Sequence, residues 1–159
     1  MRLITQKYTT SCGIACVAML AGEKHDAVLK EAKNTFKERR FGKTSSYTNL
    51  DEIKDLLESF GISWRDDFNS IKKDKQSQER FWKELKGVNL VAVNFHIKNG
   101  TQYWHWIIAV QSKNGLEIYD PNPKKQKPIS CDLTKKKLPD QRSYKNAKWY
   151  LKISHKSVK

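Results

Sequence analysis

The stretch QKYTTSCGIACVAML, Gln6 to Leu20, is polar up to Ser11 and then turns small and apolar. Cys12 to Leu20 reads as a helix, and Thr9, Thr10 and Ser11 ahead of it are all residue types that cap helix N-termini. That places Cys12 in the first turn, where unpaired backbone N–H groups and the helix dipole favour a thiolate. Gly13 lets a substrate backbone come close, and the Cys12 N–H can point at a developing oxyanion. Cys16, one turn further in, reads as a small buried hydrophobe. The question is whether Cys12 is a buried thiol of the same kind or a nucleophile at the head of a helix.

At 159 residues the chain fits one domain, 1–159, that can bury a core without disulfides or metals. Nothing approaches the roughly 20 apolar residues of a membrane span, and the N-terminus does not read as a secretory signal. The expectation is a soluble chain made in the cytosol, with delivery into another cell left open. Three cysteines without a CxxC pair or a Cys/His cluster make a disulfide framework or a zinc site unexpected, and no cofactor is called for. The net charge is +14 and uneven. From Pro121 onward there are twelve Lys and Arg against two Asp. This basic C-terminal end (121–159) suits an anionic partner, whether a nucleic acid such as RNA, an acidic protein such as an immunity partner, or a membrane surface. A plain solvated lysine surface explains it equally well.

Along the chain, His25 to Phe36 reads as a second helix, with Ala27, Val28, Ala32 and Phe36 on one side. KERRFGKTSSY reads as a loop. In TNLDEIKDLLESFGI, Leu50, Ile53, Leu57 and Phe60 fall at helical spacing, with acidic residues in the first turn and Gly61 as a stop. SQERFWKELKG makes a fourth helix, ending at Gly87. The period then changes. VNLVAVNF, QYWHWIIAV, LEIYD and KWYLKIS are β-branched and aromatic runs, and SKNG before Leu116 is a hairpin signal. Helices first and an antiparallel sheet second make an α+β domain.

A cysteine nucleophile needs a base. Of the four histidines, His25 opens the second helix and is expected at the surface or as a cap, His96 ends a strand before IKNG, and His155 is close to the C-terminus. His105 lies between Trp104 and Trp106 in an apolar strand. A histidine in such a place is more often a satisfied core residue than a catalyst. The following strand changes that reading, because LEIYDPN brings Asp120 to the end of the hairpin partner, where a carboxylate can orient an imidazole.

Glutamine, five residues, Cys-Gly-x-Ala-Cys, then His on an apolar strand and Asp-Pro on the next resembles the bacteriocin-processing cysteine peptidases. These are papain-like enzymes that cut double-glycine leader peptides and have stand-alone relatives. The resemblance covers Gln6, Cys12, His105 and Asp120 and runs through most of the chain. It implies a papain-like fold and a thioester mechanism on a peptide or protein substrate. Cys12 would attack, His105 would act as base and then acid, Asp120 would hold His105, and Gln6 would join the Cys12 N–H in the oxyanion hole. Gly13, Trp104 and Trp106 would line the cleft, although core packing explains the tryptophans as well. Unlike the transporter-linked members, this chain has no membrane spans or ATPase. That leaves the substrate open and admits deamidation, acyl transfer or an effector or toxin setting.

Two other classes stand beside this one. Trp149, Tyr144 and Tyr150 among the basic residues at the C-terminal end suit a toxin domain that binds or cleaves RNA by base stacking, although no nucleic-acid motif occurs and KKK at 135–137 reads as a solvated turn. A pseudoenzyme that keeps the fold for binding would not need all four of Gln6, Cys12, His105 and Asp120.

Overall fold

The computed structural model describes residues 1–39, 41–42, 45–65, 70–132, 139 and 143–154. His155 and the 135–137 lysines therefore lie outside the described residues. Among the described residues, four helices precede or interrupt an antiparallel six-stranded sheet: α1 (Cys12–Ala21), α2 (His25–Thr35), α3 (Leu50–Ser59), β1 (Trp64–Arg65), α4 (Lys75–Glu84), β2 (Gly87–Lys98), β3 (Thr101–Ser112), β4 (Gly115–Tyr119), β5 (Ile129–Cys131) and β6 (Trp149–Ile153). This is the α+β architecture expected of a papain-like peptidase. The chain divides into two compact units. One holds Met1–Ser63 with Asp120–Lys127 and Ser154; the other holds Trp64–Tyr119 and Pro128–Ile153.

In the first unit α1 is buried over nine of its ten positions, all but Leu20. The reason is compositional: CGIACVAMLA has no polar face to offer to water. It meets α2 and α3. From α3 come Ile53, Leu56 and Leu57, and from α2 Val28, Leu29 and Ala32, all buried. Each large aliphatic side chain so placed contributes about 1.5–3 kcal/mol. α3 starts with a capping box in which Asn49 accepts from the Glu52 N–H and Glu52 accepts from the Asn49 N–H.

Two details of α2 and one of α4 differ from the sequence pattern. The buried side of α2 is His25, Val28, Leu29 and Ala32, with Ala27 exposed. His25 is therefore an interior residue, 4 % exposed, rather than a surface one. α4 ends at Glu84, because Leu85 takes an extended conformation and Gly87 already opens β2.

In the second unit the sheet order is β1-β6-β2-β3-β4-β5. The short β1 and β5, two and three residues long, carry too little pattern to be read from sequence. β2 and β3 form a hairpin through Asn99-Gly100, both at positive φ, and β3 and β4 a second one in which Ser112 faces Gly115. One sheet face holds Val91, Val93, Ile107, Ala109, Leu116 and Ile118, packed with Trp82, Leu85, Tyr144 and Ala147. The β2–β3 register shifts between Val93 and His96. Asn94 sits there at φ 55°, and its N–H, with that of Phe95, turns to the carbonyls of Lys145 and Asn146.

Gln78 of α4 does the work of a strand. Its amide Nε2 donates to the Ala147 and Lys72 carbonyls at 2.9 and 2.8 Å, and its Oε1 accepts from the Ala147 N–H at 2.8 Å. A leucine here would fill the space and orphan buried backbone groups. Gln78→Leu is expected to lower unfolding free energy by about 2–4 kcal/mol in a denaturant titration. A loss below about 0.5 kcal/mol would mean that the segment around Ala147 finds other partners.

Candidate active site

Cys12 is the first helical residue of α1 and is 8 % exposed, whereas Cys16 in the next turn is 0 % exposed. Of these two residues, only Cys12 has any exposure to solvent. Burial pushes the Cys16 thiol well above its usual range, and the Cys12 thiol and the Asp120 carboxylate add to that push. Cys12 and Asp120 are thus both within electrostatic reach of Cys16. Cys131 is a third thiol, raised by partial burial.

Ser11 is the N-cap residue of α1 but makes no side-chain cap bond. Its Oγ lies 3.1 Å from both the N–H and the carbonyl oxygen of Tyr8, and 3.0 Å from His25 Nε2. The first turn also carries no acidic residue. The charge-stabilising end of α1 is therefore left uncovered by side chains of its own cap.

The segment before Ser11 is a hydrogen-bonded knot. Gln6 Nε2 donates to the carbonyls of Tyr8 and Thr9 at 2.9 and 2.8 Å, while Gln6 Oε1 is buried and has no partner among the described residues. Both amide hydrogens are thus committed to the loop, and one must be released before Gln6 can donate to an oxyanion. The Ser11 N–H also bonds Tyr8 O at 3.0 Å, and Thr10 Oγ1 accepts from the Ser46 N–H at 2.9 Å. The Gln6 N–H donates to Pro121 O at 2.8 Å, which ties this segment to the residue after Asp120.

Asp120 is 4 % exposed, and its Oδ1 accepts from the Asn122 N–H at 2.9 Å. With Pro121 and Pro123 beside it, this turn holds the carboxylate in a stiff frame. Gln6, Cys12 and Asp120 thus belong to one unit. His105 belongs to the other, half-buried on β3 opposite Val93, the last pair before the β2–β3 register shift. Trp104 is half-buried and packs edge-on against Trp149 at 5.8 Å. Trp106 is wholly buried, so it belongs to the core and drops out as a cleft residue. Gly13 is buried in the first turn of α1.

The residue that sequence reasoning missed is His25. Its Nδ1 is buried without a hydrogen-bond partner among the described residues and lies 3.8 Å from Asp26 Oδ1. Asp26 in turn pairs with Lys7 at 2.6 Å. Tyr8 meets the ring edge-on at 6.3 Å. Burial holds the His25 imidazole below its usual pKa. Asp26 opposes that and Lys7 reinforces it.

Among the described residues no group of three or more His, Cys, Asp or Glu could hold a metal ion, and no helix is long and apolar enough to cross a membrane. The family model described as the peptidase C39 family matches residues 1–136. No curated protein matches the chain.

A histidine whose pKa is lowered by folding binds protons more weakly in the folded than in the unfolded chain. Its contribution to stability is complete above the ordinary value of about 6.5 and is lost as pH falls through that value toward the lower folded one. Thermal unfolding midpoints measured from pH 7.5 to 5 are expected to fall more steeply for the wild type than for His25→Gln. Parallel profiles would show that the imidazole does not titrate against folding.

Proposed function

The chain belongs to the peptidase C39 family, the bacteriocin-processing cysteine peptidases, and is a papain-like thiol hydrolase; from that premise we propose that it cleaves its peptide or protein substrate through Cys12, His105 and Asp120. Cys12 Sγ attacks the scissile carbonyl, and the proton of the thiol passes to His105. The tetrahedral oxyanion is held by the Cys12 N–H and the Gln6 amide. His105 then protonates the leaving amine, the C–N bond breaks and a thioester on Cys12 remains. Water, deprotonated by His105, attacks the thioester and releases the acid and the free thiol. Asp120 fixes the His105 tautomer and stabilises its charged form.

One observation supports this most directly. Of the two cysteines on α1, the one with any exposure heads the helix, where Ser11 makes no side-chain cap bond, in the unit that also holds Gln6 and the buried Asp120. A papain-like hydrolase needs an activated thiol with donors beside it. Burial pushes the thiols of Cys16 and Cys131 upward, which lowers the thiolate fraction each offers.

The RNA reading loses its main warrant. Tyr144 is a core residue, and Tyr150 and Trp149 are strand residues packed against Phe81 and against Phe95 and Trp104. Tyr144 therefore has no face to offer a base, and the rings of Trp149 and Tyr150 are partly taken up by these neighbours. The lysine surplus after Pro121 then reads as a solvated surface or as a docking face for an acidic partner.

Cys12→Ala and His105→Ala are each expected to lower kcat on a cleaved peptide on the order of 10⁴–10⁶-fold without a matching fall in the thermal unfolding midpoint. Stoichiometric alkylation that abolishes activity is expected at Cys12 by mass spectrometry. Activity surviving in Cys12→Ala would assign the nucleophile elsewhere, and activity surviving in His105→Ala would remove the base.

A further inference from the structure

The loop between Gln6 and Cys12 must present two donors to one oxygen, yet its own hydrogen bonds are arranged around a different centre, the Ser11 hydroxyl. A serine hydroxyl has one hydrogen and two lone pairs. Here it has three neighbours: Tyr8 N, Tyr8 O and His25 Nε2 at 3.1, 3.1 and 3.0 Å. The Tyr8 N–H can only donate, so it takes one lone pair. The hydroxyl hydrogen then goes either to Tyr8 O or to His25.

Tyr8 O already accepts from the Ser11 N–H and from Gln6 Nε2. When the hydroxyl donates to His25 Nε2, Tyr8 O keeps those two donors, and the Nδ1–H of His25 lies on the side of Asp26 Oδ1, 3.8 Å away. When His25 instead donates from Nε2, the hydroxyl must turn to Tyr8 O and compete there with the Gln6 amide. The ring of His25 therefore governs how firmly Gln6 is held. It does so from the interior, 4 % exposed, beside Asp26, which accepts a surface hydrogen bond from Lys7 of the same loop.

We propose that His25 is a positioning residue for the oxyanion side of the site: through Ser11 it sets the turn from Tyr8 to Ser11, and with it the Gln6 amide and the Cys12 N–H. The inference rests on the role given above to Cys12 and Gln6. A ring that only filled space would not need a polar atom 3.0 Å from a buried hydroxyl, and a cap serine would put its oxygen on the helix rather than behind it.

The test compares three variants on a peptide that the wild type cleaves. His25→Phe keeps the ring and removes the polar contact, His25→Gln keeps a polar group near the Nε2 position, and Ser11→Ala removes the hydroxyl. His25→Phe is expected to lower kcat about tenfold or more with KM within about twofold, as a displaced catalytic donor does. His25→Gln is expected to recover most of that loss. Ser11→Ala is expected to match His25→Phe, and the double variant to lose no more than either alone. Should His25→Phe fail to fold, Ser11→Ala and His25→Gln decide the matter. Wild-type kcat in His25→Phe or Ser11→Ala, or an equal loss in His25→Gln and His25→Phe, overturns the proposal. Failure of the Cys12 assignment is read separately, as activity retained in Cys12→Ala.

Discussion

α1 is buried at every position but Leu20, and this constraint orders its unit. A helix so apolar must be surrounded, and Val28, Leu29 and Ala32 on α2 and Ile53, Leu56 and Leu57 on α3 are buried in the same unit. The head of the helix is then fixed, and so is the first residue on it. Loop residues just ahead of Cys12 have no such apolar reason to be still. Hydrogen bonds hold them instead, from Gln6 to the Tyr8 and Thr9 carbonyls, from the Ser46 N–H to Thr10 Oγ1, and from the Gln6 N–H to Pro121 O. Packing places Cys12, and polar contacts place the loop ahead of it.

The sheet solves a different problem. Its central strands β2 and β3 pair without a break from Gly87–Gln111 to Val93–His105, and the irregularity comes directly after His105. A bulge lets a strand bend, and its freed N–H groups need other acceptors. Here Lys145 and Asn146 supply the carbonyls, and Asn94 Nδ2 adds a bond to Ser143. So the segment around 143–148, irregular by itself, is pinned at one end by the bulge and in its middle by Gln78.

Much of this was legible in the sequence where side-chain period and turn chemistry speak directly. The apolar run of α1, the Asn49–Glu52 box and the two hairpin turns each carry a local signal. So does the order of Gln6, Cys12, His105 and Asp120, which led to the family. His25 was also legible, since His25, Val28, Leu29 and Ala32 stand at i, i+3, i+4 and i+7. Assigning the helix face to Ala27 and Val28 turned that stripe by about one position and put a buried imidazole on the surface. Trp106 was ambiguous for the opposite reason, because alternation along β3 says that it faces away from His105 but not whether that face meets water. For the aromatics of the basic end, charge count is blind to strands, and Trp149 and Tyr150 stand in β6. What no pattern carries is the partner of a hydroxyl, since Ser11 reads as a cap and is one by position only.

That last point concerns competition for the same donors. An ordinary N-cap serine places its oxygen on the N–H of the second or third helical residue, here Gly13 or Ile14, and contributes about 1 kcal/mol of stability. Those N–H groups, with that of Cys12, are also what a negative charge at the head of α1 would use. A side-chain oxygen sitting on them would compete with the thiolate and the oxyanion that the chemistry requires. Turning the Ser11 hydroxyl back toward Tyr8 and His25 forgoes that cap bond and keeps its oxygen off those donors. The missing cap at Cys12 and the buried histidine behind it are then two sides of one arrangement: the hydroxyl that does not stabilise the helix is employed in holding the loop.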